Sequence, residues 1–157
     1  MKRFIVFCLL IFLINVAFAQ QKQQVESNKK TVEAFFIALE KQNFEDLKRI
    51  FTVDAKQINP YIPNGFPSVL DGREAIYKQY SSLPQQFSRM QFPREIYATE
   101  DPSVFFVHFK GKIDIIKGGM YENDYVGIFK LRESKIYEYT EYFNPIVMAN
   151  AFGISLD

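Results

Sequence analysis

The stretch VFFVHFKGKIDII, residues 104–116, decides the fold, because apolar and polar side chains alternate along most of its length. One face carries Phe105, Val107, Phe109, Ile113 and Ile115, and the other carries Val104, Phe106, His108, Lys110, Lys112 and Asp114. A period of two over this length predicts a β-strand with one buried face and one polar face. The chain is therefore expected to contain a sheet that is covered on one side.

The residues around this strand predict further strands joined by short turns. Strands are expected over 88–96, 104–116, 121–131 and 136–143, with turns at Gly118-Gly119 and Glu133-Ser134. Pro93 marks an edge or a bulge, because proline cannot donate a backbone hydrogen bond. Asn144-Pro145 ends the last strand, and a short tail follows. About four antiparallel strands, with short ones in addition, are expected.

Two helices are predicted near the start of the domain. Over residues 28–42 the apolar positions fall at helical spacing, with Val32, Phe35, Phe36 and Leu39 on one face. Asn43 can cap a second helix. The buried stripe of that helix is expected to be Phe44, Leu47, Ile50 and Phe51.

A loop and a third helix follow. Residues 52–70 hold three prolines and are expected to form an irregular loop, of the kind that often walls a pocket. Asp71, with Glu74 three residues on, is typical of a capping box. The helix that it starts is expected to end at Pro84. Three helices followed by about four antiparallel strands make an α+β fold, in which the helices cover one face of the sheet.

The first nineteen residues have the pattern of an export signal. Lys2 and Arg3 precede a short apolar run, and Ala17-Phe18-Ala19 is a small-x-small cleavage pattern. We expect cleavage between Ala19 and Gln20, which leaves residues 20–157 as a single periplasmic or secreted domain. The alternative is a membrane anchor, but a spanning helix needs about 20 apolar residues and this run is shorter. No stable membrane span is expected after cleavage.

Composition argues against several classes of protein. Cys8 lies inside the predicted signal, so the mature chain has no thiol, disulfide or cysteine metal site. Without Lys2 and Arg3, 17 basic residues face 18 acidic ones, and this balance offers no general field for nucleic acid. With a single histidine and no clustered ligands, no metal is expected. No nucleophile elbow, phosphate loop or dinucleotide fingerprint is present, so no cofactor is expected.

Three segments resemble the nuclear transport factor 2-like superfamily, especially its SnoaL-like branch. They are the opening helical hairpin, LDGREAI at 70–76, and EYFNP at 141–145 followed by AFG at 151–153. The last of these is similar to the ending of phenazine-biosynthesis A/B-type proteins. The resemblance implies a cone, in which a curved antiparallel sheet wraps a pocket that the N-terminal helices close. It also implies a homodimer through the outer sheet face. Members include isomerases, cyclases, epoxide hydrolases, dehydratases and noncatalytic binders, so the fold alone does not name a reaction.

Glu141 is the leading catalytic candidate. In strand phase it lies with Tyr137, Tyr139 and Phe143, and a carboxylate among aromatic rings would have a raised pKa. The resemblance also implies a functional glutamate in this segment. The opposite phase of the strand is equally mixed, so an exposed or dimer-face glutamate is the alternative.

Other candidates are weaker. His108 could transfer a proton near neutral pH, but it lies on the polar face of its strand. Four tyrosines and one phenylalanine could ring a ligand pocket: Tyr61, Phe66, Tyr77, Tyr80 and Tyr139. Ordinary packing is the alternative for each of them.

Three functions remain open from the sequence. The first is an exported pocket protein that binds a small hydrophobic molecule, aromatic or polycyclic. The second is a cofactor-independent acid–base enzyme of the isomerase, cyclase or lyase kind, in which Glu141 moves the proton and a tyrosine or His108 polarises the substrate. The third is a dimeric interaction module whose pocket its own side chains fill. A cavity holding Glu141 and another ionisable group would favour the enzyme.

Overall fold

The computed structural model describes residues 2–154, with side chains for residue 16 and residues 18–154. Within this part, four α-helices pack with seven strands of a single curved sheet. The helices are α1 (Lys2–Glu40), α2 (Leu47–Ile50), α3 (Arg73–Ser81) and α4 (Pro145–Phe152), and the strands are β1 (Phe51–Ile58), β2 (Val69–Asp71), β3 (Phe87–Gln91), β4 (Arg94–Ala98), β5 (Val104–Ile115), β6 (Met120–Arg132) and β7 (Lys135–Phe143). The predicted α+β class is confirmed.

The three long strands lie side by side in the order β7-β6-β5, and they pair antiparallel with one another. The tight turn between β6 and β7 places Glu133 and Ser134 at φ of 52° and 57°. A two-residue turn with both φ angles positive matches the right-handed twist of the strands that it joins. On β5, Phe105 and Val107 are fully buried and His108 is exposed, as the alternation predicts.

The predicted irregular loop over 52–70 is wrong at both ends, because strands occupy 52–58 and 69–70, and only 59–68 connect them. Residues 51–58 form β1, which pairs in parallel with β7, and β2 then pairs antiparallel with β1. Phe51 therefore begins a strand and does not belong to the second helix. A register shift between Phe51 and Lys56 breaks the alternation of buried residues, which removes the period-two pattern from the sequence.

The helices differ from prediction mainly at their ends. α1 extends well before residue 28, and its predicted apolar face is buried against the sheet: Val32, Phe35, Phe36 and Leu39. The expected capping box at α3 is wrong, because Asp71 ends β2 and Gly72 occupies the N-cap position without a side-chain bond. Gly72 has a φ of 90°, a backbone conformation that favours glycine.

The predicted strand over 88–96 is two strands, which Pro93 separates. Both β3 and β4 pair with β5. Just after the break, Arg94 donates to Glu33 and Glu40 of α1, the latter at 2.7 Å, and its guanidinium lies 4.9 Å from the ring centroid of Phe36. This cluster ties the edge of the sheet to α1.

The expected tail after the last strand is a helix, α4. The side chain of Asn144 caps it by accepting from the backbone N–H of Ile146 at 3.0 Å. Pro145 stands at the first helical position, and Gly153 at the C-cap has a φ of 63°. The predicted export signal, residues 1–19, falls largely outside the part with described side chains, and its cleavage stays a prediction. Within the described part, no helix has both the length and the apolar character that crossing a membrane requires.

Candidate functional site

A cavity of about 520 Å³ lies between the inner face of the sheet and the helices. Most of its wall is apolar or aromatic: Phe35, Leu39, Ile62, Phe66, Pro67, Leu70, Tyr80, Leu83, Phe87, Met90, Phe92, Phe109, Ile113, Tyr121, Tyr125, Phe143, Met148, Phe152 and Ile154. The polar lining residues are Gln57, Asn59, Gln79, Ser82, Gln86 and Glu141. This volume and this lining, mostly apolar with a few polar groups, are typical of sites for small molecules.

Glu141 is the one carboxylate that lines this cavity among residues 16–154. It lies on the inner face of β7, and its side chain is half-buried, with its remaining surface toward the cavity. Burial raises the pKa of Glu141 to about 7, against the opposing effect of a hydrogen bond that the Tyr139 hydroxyl donates to Oε2. A carboxyl group with this pKa exists in both protonation states near neutral pH, as a general acid or base requires.

A glycine on the neighbouring strand makes the position of Tyr139 possible. Gly127 of β6 is the backbone partner of Glu141. A Cβ at residue 127 would lie 2.9 Å from Cε2 of Phe129 and 3.0 Å from Cε2 of Tyr139. These two rings are stacked with centroids 4.3 Å apart. The absent side chain therefore permits the stack, which holds the Tyr139 hydroxyl against Glu141.

Three further tyrosines line the same cavity, namely Tyr80 of α3 and Tyr121 and Tyr125 of β6. Burial raises the pKa of all three, and the nearby charge of Glu141 raises it further. Their hydroxyl groups consequently stay protonated at neutral pH and act only through hydrogen bonds. Glu141 is left as the lining group that changes charge in this range.

The structure brings three of the sequence-predicted site residues to the cavity wall: Phe66, Tyr80 and Glu141. Tyr139 lies behind the wall, fully buried, and reaches the site through its bond to Glu141. The sequence left open which face of the last strand points inward. In the structure, residues 139, 141 and 143 lie on the inner face of β7.

Two other predicted ligand-binding residues do not line the cavity. Tyr61 is 62% exposed and packs its ring 5.9 Å from that of Tyr142. The hydroxyl of Tyr77 donates to Glu45 at 2.6 Å, so its polar end is directed to the segment before α2. Tyr61 lies in the surface loop between β1 and β2, and Tyr77 is held by Glu45 and lies under Nζ of Lys48, 3.7 Å from its ring centroid.

His108 also lies away from the cavity. It stands on the outer face of β5 with about half its side chain exposed, and its Nε2 is 4.0 Å from Oδ1 of Asp124. This position fits the polar face that the alternation predicts and offers no route to a molecule in the cavity. Across the described residues, no three His, Cys, Asp or Glu side chains form a cluster suited to a metal ion.

The model of the SnoaL-like domain family matches residues 32–139. The chain belongs to the SnoaL-like family. Its match covers the last part of α1, then α2, α3, β1 to β6 and the first half of β7, and it ends two residues before Glu141. The family match therefore includes most of the cavity wall, whereas Glu141 and the part of the wall that α4 supplies lie outside it.

This SnoaL-like domain is similar in sequence or structure to several known proteins. Phenazine biosynthesis protein PhzA1 of Pseudomonas aeruginosa is 29% identical to it over 136 residues, which cover 82% of each chain. A Bacillus subtilis protein of known structure, provisionally assigned as an isomerase, matches with a TM-score of 0.77 and 25% identity, covering 85% of this chain and 99% of that one. An NTF2-like protein of unknown function from Burkholderia pseudomallei matches with a TM-score of 0.69 and 13% identity, covering 79% and 95%. The resemblance read from the sequence is confirmed.

Several residues that line the cavity of this SnoaL-like domain were not predicted from the sequence. Tyr121 and Tyr125 lie on the inner face of β6 with Phe129. The alternation of buried and exposed residues along β6 could have predicted this placement. Met148 and Phe152 reach the cavity from α4, which the sequence showed only as a tail. Their apolar spacing over eight residues is too short to predict a helix by itself.

Proposed function

We propose that this protein is a cofactor-independent acid–base enzyme that takes a small, largely apolar ring compound into its cavity. The observation that carries the proposal is the position of Glu141, a lone carboxylate in an aromatic cavity, held by the hydroxyl of a buried tyrosine. Proton transfer to or from carbon is the chemistry that such a group performs without a metal or a nucleotide.

The protonation of Glu141 supports both directions of transfer. A pKa of about 7 means that the protonated and ionised forms are both populated at neutral pH. The ionised form can abstract a proton from one carbon of a ring system, and the resulting acid can return it to another position. Net isomerisation results, with no other reactant consumed. The bond from Tyr139 fixes one carboxyl oxygen, so the other is the one expected to face the ligand.

The comparisons are compatible with this proposal at a coarse level. One structural match is provisionally assigned as an isomerase, and one relative is named for phenazine biosynthesis, a pathway to an aromatic ring system. A noncatalytic binder of a similar molecule is the second candidate, favoured by the predominantly apolar wall. An interaction module with a filled pocket fits a cavity of about 520 Å³ poorly.

Deuterium exchange separates the enzyme from the binder. Cyclic ketones such as 2-tetralone exchange the hydrogens beside the carbonyl when a base removes them, and NMR in D₂O measures the rate. We expect Glu141→Gln to lower the protein-catalysed rate at least 100-fold, in line with the usual contribution of a general base. Glu138→Gln is the matched control, because Glu138 lies on the outer face of β7 and pairs with Lys130.

Two results have distinct meanings. Equal exchange by the wild type and Glu141→Gln would end the proposal of acid–base catalysis. Tight binding of the ketone without any exchange in the wild type would favour the binder. Native mass spectrometry of the protein from its own cells adds the identity of a retained ligand to either outcome.

Export belongs to the same proposal. The basic start, apolar run and Ala17-Phe18-Ala19 pattern support cleavage before Gln20 and a periplasmic or secreted enzyme. The intact mass of the protein recovered from outside the inner membrane is expected to correspond to residues 20–157. A chain that retains residues 1–19 in that fraction would contradict cleavage at this position.

We also propose that the outer face of the sheet forms a homodimer. Phe106 on β5, Val126 on β6 and Tyr97 on β4 are exposed on this face, and β4 and β6 flank β5. Exposed aromatic and β-branched side chains in a contiguous group are typical of protein interfaces. Phe106→Asp is expected to convert a dimer to a monomer by light scattering without loss of fold. A wild type that is already monomeric at micromolar concentration would refute this part.

A further inference from the structure

The orientation of the Asn123 amide follows from its backbone neighbours. Its Oδ1 accepts from the backbone N–H of Asp124 at 2.9 Å and from that of Asn144 at 3.3 Å. Both partners are donors only, so the oxygen must face them and the Nδ2 group must face the other way. There it donates to the Tyr121 hydroxyl at 2.8 Å and to the backbone carbonyl of Asn144 at 2.9 Å. Asn123 is 6% exposed, and each of its polar atoms has a partner.

The oxygen of Tyr121 accepts two hydrogen bonds. One comes from Nδ2 of Asn123, and the other comes from the hydroxyl of Tyr125 at 3.0 Å. A hydroxyl oxygen has two lone pairs and one hydrogen, so these two bonds use both lone pairs and leave the hydrogen. Within residues 16–154, no acceptor is in hydrogen-bonding contact with that hydrogen.

The cavity is where that hydrogen can find an acceptor. Tyr121 and Tyr125 both line the cavity, and Tyr121 is 5% exposed. The ring of Phe152 packs 5.1 Å from the ring of Tyr121 and limits its movement. The hydroxyl is thus a buried donor, held in place by its neighbours before any ligand arrives.

We infer that Tyr121 donates its hydroxyl hydrogen to the ligand, that Asn123 positions this donor, and that the cavity therefore selects ring compounds bearing a carbonyl or another hydrogen-bond acceptor. The inference rests on the proposed function in one respect, namely that the cavity takes a small ring compound. It adds the class of ligand, a ring carbonyl compound, and the residue that sets this preference.

Asn123 acts through Tyr121 and touches no ligand itself. If its amide accepted a hydrogen bond from Tyr121 and did not donate one, the Tyr121 hydrogen would point away from the cavity. Tyr125 would then still donate to Tyr121, and neither hydroxyl would have a hydrogen for a ligand. The donor character of Nδ2 is therefore what orients the pair. Buried hydroxyl groups linked in series also polarise one another, which strengthens the terminal donor.

A matched pair of probes tests the preference. 9-Fluorenone and fluorene have the same three rings and differ at one carbon, which carries the carbonyl oxygen in fluorenone only. Isothermal titration gives the two affinities, and the infrared carbonyl stretch of bound fluorenone reports the hydrogen bond directly. We expect the wild type to bind fluorenone at least tenfold more tightly than fluorene, with a carbonyl stretch lower than that in hexane. A buried donor left without an acceptor costs about this factor or more.

Three variants separate the roles of the polar residues. Tyr121→Phe is expected to abolish both the preference and the lowered stretch, and to leave fluorene affinity within about twofold, because only the hydroxyl is removed. Asn123→Asp, studied at alkaline pH, keeps both backbone N–H bonds but presents a carboxylate oxygen to Tyr121. It is expected to draw the hydrogen away and raise the stretch. Tyr125→Phe is expected to retain the preference, because Tyr121 keeps its own hydrogen.

The outcomes distinguish this inference from the proposed function. Equal affinity for both probes with an unshifted carbonyl stretch would overturn the inference and leave the proposed function intact. Loss of the preference in Tyr125→Phe but not in Tyr121→Phe would also overturn it. Failure of the wild type to bind either probe would contradict the proposed ring-binding cavity itself. A carbonyl stretch in Asn123→Asp identical to that of the wild type would remove the positioning role.

Discussion

Glu141→Gln is expected to stabilise the folded protein at alkaline pH and to change its stability little at acid pH. Glutamine has nearly the same shape, and its carbonyl oxygen can still accept the bond that Tyr139 donates to Glu141. It cannot ionise, so the variant removes the cost of holding a negative charge in an aromatic cavity. The wild type incurs that cost only when the pH is high enough to ionise the carboxyl group.

The magnitude follows from the pKa of Glu141, which burial raises from 4.5 to about 7 in the folded state. A raised carboxyl pKa means that the folded state holds the proton more tightly than the unfolded state. The penalty is therefore absent well below pH 4.5, grows as the pH rises from 4.5 to 7, and is constant above that. At about 1.4 kcal/mol for each pKa unit, the full penalty is about 3 kcal/mol. At pH 5 it is below about 1 kcal/mol.

Urea unfolding at pH 5 and pH 8.5 measures this effect. Between these two values, the stability of Glu141→Gln relative to the wild type is expected to rise by about 2–3 kcal/mol. Glu138→Gln serves as the control, because its side chain lies on the outer face of β7 beside Lys130, 2.8 Å away. The titratable groups other than residues 138 and 141 are common to all three proteins, so their contributions cancel. A stability difference that is the same at both pH values would mean that residue 141 has an ordinary pKa, and the acid–base proposal would lose its basis.

Two further perturbations test the packing that supports the site. Gly127→Ala should destabilise the fold by about 1–3 kcal/mol in urea unfolding, because the new Cβ would meet the Tyr139 ring at 3.0 Å and a second buried ring at 2.9 Å; an unchanged unfolding midpoint would show that the stack can shift freely. Arg94→Met should lower stability by about 2 kcal/mol, because it leaves Glu33 and Glu40 without their shared cation. Unchanged stability of that variant at both low and high salt would show that the cluster contributes nothing.

The long antiparallel strands could be predicted because buried and exposed positions alternate along them and the residue types follow this alternation. On β5, Phe105 and Val107 are fully buried whereas Lys110 and Lys112 are exposed, so the period of two survives in the sequence. The turn at Glu133-Ser134 adds a local signal. Nothing distant is needed to recognise these elements.

β1 could not be predicted for the opposite reason. Its partner β7 lies about eighty residues further along the chain, and the pairing is parallel. The register shift after Phe51 disturbs the alternation, and the neighbouring prolines suggest a loop. Only the complete sheet shows that Gln57 lies next to Tyr139. Long-range pairing leaves no trace in a local pattern.

The site was predictable in part. Glu141 could be chosen from its aromatic neighbours and the resemblance of its segment, but both faces of β7 are mixed, and the direction of its side chain depends on pairing with Gly127. Tyr121 was within reach, because it continues the inward alternation of β6. The bond from Asn123 to Tyr121 was out of reach, since it depends on where Asn144 brings the chain back.

The energetic cost of Glu141 bears on why a carboxylate stands there. At residue 141 the fold requires a side chain of moderate size that fills the wall beside Tyr139, and glutamine or leucine meets that need without a charge. An ionisable group in the same place makes the folded state about 3 kcal/mol less stable above neutral pH, a substantial share of the 5–15 kcal/mol that holds a typical domain together. The charge has no partner cation in the cavity wall, where the described lining residues include no lysine or arginine. A group that weakens the fold and is not neutralised by it is what the proposed acid–base function would require at this position.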